Sequence, residues 1–216
     1  KCLVLITPDA ERSMNTFLGI SETLSVEDVH AAAIAASEYL YIEGYLVTSA
    51  TGLAAAVRAR ELAQDAGVKT ALSFSDPGMV EYFREGMARI IGNGLDLVFC
   101  NEAEALQWGE TDSLAVAIEK LKHIARSFVI TRGAEGAITF DGSEQVAIPP
   151  HRVQAVDSNG AGDMFAGAFL YAISRGEDYG TAGRFASLAA GRIVANYGPR
   201  LPAADYPALR AEFFGD

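Results

Sequence analysis

Short apolar runs alternate with helical stretches along most of this 216-residue chain, and that alternation restricts the fold more than any other feature. Tyr39 to Val47, Lys69 to Phe74, Leu95 to Cys100, Ser127 to Thr131 and Gly136 to Phe140 read as strands. Gly52 to Ala66, Gly78 to Ile91, Ser113 to Ala125, Ala161 to Ser174 and Thr181 to Ala195 carry helical spacing. Strands joined through helices at this spacing imply parallel crossover units and an open α/β sheet covered on both faces. Cys2 to Thr7 and Asn15 to Ile20, around the polar bend Pro8 to Ser13, suggest two further extended strands. Ser25 and Asp28 have the spacing of a capping box. In open parallel sheets ligands collect beyond the carboxyl ends of the strands, so the residues that follow each strand become the candidates for chemistry.

The segment Asp157-Ser158-Asn159-Gly160-Ala161-Gly162-Asp163 runs straight into apolar positions 164, 165, 168, 169 and 172. Two glycines therefore bring the backbone close to a ligand at a helix N-terminus, where free amides attract an anion. Asp163 sits in the first turn, placed to accept a proton from an alcohol attacking a phosphate held by those amides. A plain helix start, with Asn159 as N-cap and a dipole-complementing acid, explains Asp163 alone. It does not explain two glycines around one alanine with acids at both ends. The spacing matches neither a Walker A loop, since Gly167 is followed by Ala168 and Phe169, nor a dinucleotide fingerprint, since position 165 is Phe.

Composition narrows the setting. Half the residues are hydrophobic, enough for one substantial core. The net charge of −11 and pI near 4.7 argue against a general nucleic-acid or anionic-membrane binder. A nucleotide would need a local phosphate site built from backbone. Cys2 and Cys100 form no disulfide framework or zinc pattern, which suits a reducing cytoplasm, and His30, His123 and His151 lack ligand spacing. No apolar run approaches a membrane span, and no signal peptide is expected ahead of Lys1.

At Asp157 to Asp163 the chain resembles the ribokinase-like carbohydrate and nucleoside kinases, the PfkB family, whose signature has the form D-T-x-G-A-G-D; Ser158 stands for the usual Thr and keeps the hydroxyl. The resemblance implies a three-layer α/β/α ribokinase-like fold with a mostly parallel central sheet, spanning residues 1–216 as one kinase domain. It implies Asp163 as general base and the amides of Gly160, Ala161 and Gly162, as far as Asp163, as an anion hole, with Asn159 beside the nucleotide. Asn101 and Glu104 match the family's N-x-x-E element, which organises magnesium and its waters. Read alone, the same residues are a helix cap with first-turn acids. Thr131, Gly133 and Gly136 match a T-x-G-x-x-G segment bordering ATP, though a glycine-rich hairpin turn also accounts for them. Ser187 and Ala190 fall on the helix that walls the adenine pocket in relatives, and Asn196 to Arg200 could offer carbonyls to a monovalent cation such as K+.

The resemblance is nearest to adenosine-kinase-like members, through Glu43 to Leu46, Leu72 to Pro77 and Asp96 to Ala105. It implies ATP and Mg2+ as co-substrate and metal, with a small-molecule acceptor and a monomeric or homodimeric state. Tyr45 would stack on a nucleoside base, Arg12 would meet the transferring phosphate, and Met14 would cover the acceptor. The family's N-terminal section, with its acceptor-sugar aspartate, Gly-Gly element and most of a small β lid, has no counterpart here; residues 1–20 read as what is left of the lid strands. The expectation is a longer enzyme. A free-sugar kinase, or a catalytically silent nucleotide- or nucleoside-binding fragment, remains open at this point.

Overall fold

The computed structural model describes residues 1–215. Its elements are β1 (Cys2–Ile6), β2 (Arg12–Thr16), α1 (Ala31–Ala35), β3 (Tyr39–Glu43), α2 (Ala50–Asp65), β4 (Lys69–Ser73), α3 (Pro77–Tyr82), α4 (Arg84–Ile91) and β5 (Leu95–Asn101). They continue with α5 (Glu102–Gly109), α6 (Leu114–Lys122), β6 (Ala125–Thr131), β7 (Ala137–Phe140), β8 (Gln145–Ile148), α7 (Ala161–Ser174), α8 (Tyr179–Val194) and α9 (Asp205–Phe214). The larger sheet has the strand order β3-β4-β5-β6-β7-β8, and β1 and β2 form a separate antiparallel pair. This is the mostly parallel α/β fold that the alternation implies.

Contacts divide the chain into two compact units, one of residues 18–131 with 140–144 and the other of residues 1–17, 132–139 and 145–216. In the first, β3 to β6 are parallel neighbours, with Glu43 opposite Ser73 and Asn101 opposite Thr131 at their carboxyl ends. Their side chains are buried: Ala71, Leu72, Leu97, Val98, Val129 and Ile130 are nearly solvent-free, as expected of strands covered on both faces. Met87 and Ile90 of α4 and Leu121 of α6 fill the same core. Cys100, at the end of β5, is buried there, and burial, with the nearby Glu104 charge, pushes its thiol pKa well up.

In the second unit α7 packs on α8. Phe169 and Ala172 of α7 and Ala182, Phe185, Ala186 and Ala189 of α8 are buried in this packing, and the small residues let the helix backbones approach. Phe185 contacts Phe213 and Phe214, fastening α9 to α8. The β1–β2 hairpin leaves Leu3 and Leu5 more than half exposed, and Cys2 is exposed at its open end beside Thr16.

Several boundaries differ from the sequence expectation. The strand expected over 39–47 stops at Glu43, because the chain turns into a 3-10 helix over Gly44–Thr48. A Cβ at Gly44 would stand 2.7 Å from the carbonyls of Ser73 and Phe74, and the Gly44 amide donates to Ser75 Oγ. The helix expected over 78–91 is two helices, broken at Phe83. The second hairpin strand begins at Arg12 rather than Asn15, and Gly19 opens a 3-10 turn. The glycine turn after β6 contains a 3-10 turn over Gly133–Glu135.

Candidate functional site

The carboxyl ends of β3 to β6 carry Tyr45, Asn101, Glu104 and Thr131. Asn101 is the N-cap of α5: its Oδ1 accepts the Glu104 amide at 2.8 Å, and the Glu104 carboxylate accepts the Asn101 amide and side-chain Nδ2, both at 2.9 Å. The helix start thus satisfies its own donors. Glu104 is only 4% exposed, and burial pushes its pKa up to about 7, against the downward pull of the Asn101 amide and with the help of the Asp76 charge. Asp76, which caps α3 through the Gly78 amide, follows Ser75, a non-glycine residue at φ 70°. The sequence signal for this corner is the N-cap-then-proline order of Asp76 and Pro77, and neither residue was among the candidates.

Among the described residues no cluster of three or more His, Cys, Asp or Glu is gathered closely enough to hold a metal ion. Magnesium does not need one, because it keeps several waters and is typically held by one or two carboxylates together with substrate phosphates. Asn101 and Glu104 fit an outer position of that kind, since each oxygen of the carboxylate accepts one hydrogen bond within the cap and retains lone-pair capacity beyond it. Tyr45 lies in the 3-10 turn after β3 and is 39% exposed. Thr131 ends β6, its hydroxyl 3.5 Å from the Cys100 carbonyl.

The second unit gathers the glycine loop. Helix α7 begins at Ala161 with Gly160, not Asn159, as its N-cap, at φ 77° and with no side chain capping it. Only glycine fits. A Cβ at Gly160 would meet the Pro199 carbonyl oxygen at 2.4 Å. The buried Asp157 carboxylate holds the two loops together by accepting the amides of Asn159 at 2.9 Å and Gly198 at 2.8 Å. The Ala161 amide turns back to the Ser158 carbonyl at 3.3 Å, so the donors that point along the helix axis centre on Gly162 and Asp163. Nothing stands within 4 Å of a Cβ position at Gly162, and Asp163 is exposed in the first turn. The arrangement leaves backbone donors open at a helix N-terminus with an exposed carboxylate beside them, chemistry that suits an anion.

The hairpin bend meets this loop. Ala10 is 4% exposed and left-handed at φ 65°, a conformation costing about 1 kcal/mol for a residue with a Cβ. Its carbonyl accepts the Ser158 amide at 3.1 Å, and Arg12 Nη1 donates to Ser158 Oγ at 3.1 Å. Met14, two residues along β2, is 42% exposed. Gly133 and Gly136 take φ 55° and 89°, and a Cβ at Gly136 would fall 2.0 Å from the Ile148 carbonyl. On α8, the Ser187 hydroxyl accepts the His151 amide and donates to the Pro149 carbonyl, tying that segment to the helix; Ala190, one turn on, is partly exposed. Sequence reasoning missed Asp157 and Ala10 as organisers of this loop; the acid at its start was the available signal.

The strand order and crossover pattern define a ribokinase-like α/β protein. The chain belongs to the pfkB family of carbohydrate kinases, whose sequence pattern matches residues 1–205. It is 32% identical to the adenosine kinase of Schizophyllum commune over 82% of this chain and 57% of that protein. The crystal structure of adenosine kinase from Sinorhizobium meliloti superposes with a TM-score of 0.93 at 33% identity, covering 98% of this chain and 65% of that one. The probable sugar kinase of Rhizobium etli CFN 42 gives 0.92 at 31% identity, covering 99% and 65%. The chain therefore spans less than two thirds of the length of these relatives.

Proposed function

We propose that this chain carries the phosphoryl-transfer machinery of an ATP-dependent kinase acting on a primary hydroxyl of a nucleoside, with adenosine as the leading acceptor. The observation that carries the reading is the start of α7: an N-terminus that no side chain caps, entered through a glycine wedged against Pro199, with an exposed carboxylate in its first turn. The amides around Gly162 would hold the transferring phosphoryl group. As the acceptor oxygen bonds to the γ-phosphorus and the bond to the bridging oxygen breaks, Asp163 takes the hydroxyl proton and ADP leaves. Magnesium, when bound, neutralises charge on the phosphate oxygens. Asn101 and Glu104 would hold it through its waters, with Thr131, Gly133 and Gly136 bordering the nucleotide. Likeness to adenosine kinases supports the nucleoside; the similar likeness to a probable sugar kinase keeps a free sugar as the second reading.

The test is phosphate transfer from ATP to adenosine, other nucleosides, ribose and fructose. Transfer to adenosine with little to ribose is expected, and transfer to sugars alone would move the chain to the second reading. Tyr45→Ala sharpens it. Loss of a stacked ring should weaken adenosine by about 1 to 3 kcal/mol and ribose far less; equal losses would assign the ring to the turn.

A further inference from the structure

Ser158 occupies a junction that the phosphate chemistry alone does not require. Its amide donates to the Ala10 carbonyl, its carbonyl accepts the Ala161 amide at the start of α7, and its hydroxyl accepts from Arg12 Nη1. One residue thus joins the hairpin bend to the start of α7 through backbone and side chain together. The bend is built to meet it. Thr7 closes the turn, its amide donating to the Glu11 carbonyl and its hydroxyl to Asp9 Oδ1, and within that turn Ala10 is left-handed and presents its carbonyl to the Ser158 amide.

We propose that Ser158 is a positioning residue that latches the Thr7–Glu11 bend onto the loop and aims the Arg12 guanidinium at the phosphoryl group held there. The hydroxyl is the adjustable part of the latch. The backbone bond to Ala10 and the Arg12 Nη1 bond to Ser158 Oγ hold the bend together, and Oγ, a neutral acceptor, also fixes one branch of a guanidinium with four other donors left for phosphate oxygens. A carboxylate at this position would compete with the phosphate for Arg12; a hydroxyl orients it without neutralising it. The catalytic consequence rests on the kinase reading above, while the latch itself is a statement about two loops.

Two measurements separate these. Hydrogen exchange at residues 7–12 of the full chain should quicken in Ser158→Ala and return to the wild-type rate in Ser158→Thr, which restores the hydroxyl; an unchanged rate in Ser158→Ala overturns the latch. In phosphate transfer, Ser158→Ala should lower kcat about tenfold, the usual scale for losing a hydrogen bond to a charged group, with little change in the KM for ATP. Ser158→Thr should stay within about twofold of wild type. In the Arg12→Ala background Ser158→Ala should cost nothing further, because its effect runs through Arg12; full additivity overturns the aiming role. A wild-type chain that transfers phosphate to no acceptor would defeat the kinase reading and the aiming role with it, leaving hydrogen exchange to decide the latch.

Discussion

Helices α5 and α7 receive the chain from opposite kinds of entry, and their first amides meet opposite fates. At α5 the polypeptide arrives on a buried strand, and Asn101 and Glu104 close a reciprocal cap in which side chains satisfy the helix donors. At α7 it arrives through a left-handed glycine that offers no side chain, and Asp163 is exposed in the first turn. A capped terminus contributes stability to the fold; an uncapped one keeps its dipole and donors for a ligand. The difference lies in which atoms were made available, since both starts have an acid in the first turn. An acid near a helix N-terminus therefore says little about function until its partners are known.

The largest effect expected from this contrast is at the open terminus. Asp163→Asn should lower kcat by about 10² to 10⁴, the usual range for removing a general base, with ATP affinity by calorimetry unchanged. Near-normal turnover by the folded variant would erase the distinction between the two helices. Next comes Glu104 in the closed cap. Its pKa rises from 4.5 to about 7 on burial, so between those pH values the native chain keeps a proton that the unfolded chain has released, and stability falls as pH rises through that window. Relative to Glu104→Gln, the wild type should lose up to about 3 kcal/mol from the low to the high end, read by denaturant titration at several pH values. A parallel pair of curves would remove the buried titration. If Glu104 also supports magnesium, the same variant should raise the magnesium concentration needed for half-maximal rate.

Smaller effects probe the glycines and the cap. Gly160→Ala should cost about 2 kcal/mol in stability, from the left-handed backbone and the close Pro199 carbonyl. Asn101→Ala should cost about 1 kcal/mol by opening the cap. Gly162→Ala has room for its methyl and should gain about 0.5 kcal/mol as a helix residue. Under the proposed function turnover should nevertheless drop, because the methyl would fill space that a phosphate takes. Full activity in a stabilised Gly162→Ala would make the loop a structural turn only.

Helix α7 begins and ends at the residues marked by its apolar spacing, and the cap at Asn101 is where strand meets polar residues. Local periodicity and local hydrogen bonding decide both, so the sequence suffices. β8 and α9 went unread for the converse reason. Gln145–Ile148 has a single strongly buried side chain ahead of two prolines, and Asp205–Phe214 has Pro207 in its first turn and only Leu209 buried. Their placement depends on partners far along the chain, such as Phe185 for α9. The same holds in the candidate site. Asp163 and the glycines stand out in the sequence, but Asp157 acts by reaching the Gly198 amide 41 residues away, and Ala10 by meeting Ser158. Contacts of that range leave no spacing to read.

The two cysteines have a practical consequence for spectroscopy. Cys100 is enclosed in the core with its thiol pKa well raised, so it contributes almost no thiolate to an alkylating reagent at neutral pH, whereas Cys2 is exposed on β1. Within these 216 residues Cys2 is therefore the thiol open to labelling under native conditions. A nitroxide or environment-sensitive fluorophore attached at Cys2 sits on the same hairpin as Arg12, and its line shape or emission would follow that hairpin when ATP is added, with Cys100 left in place.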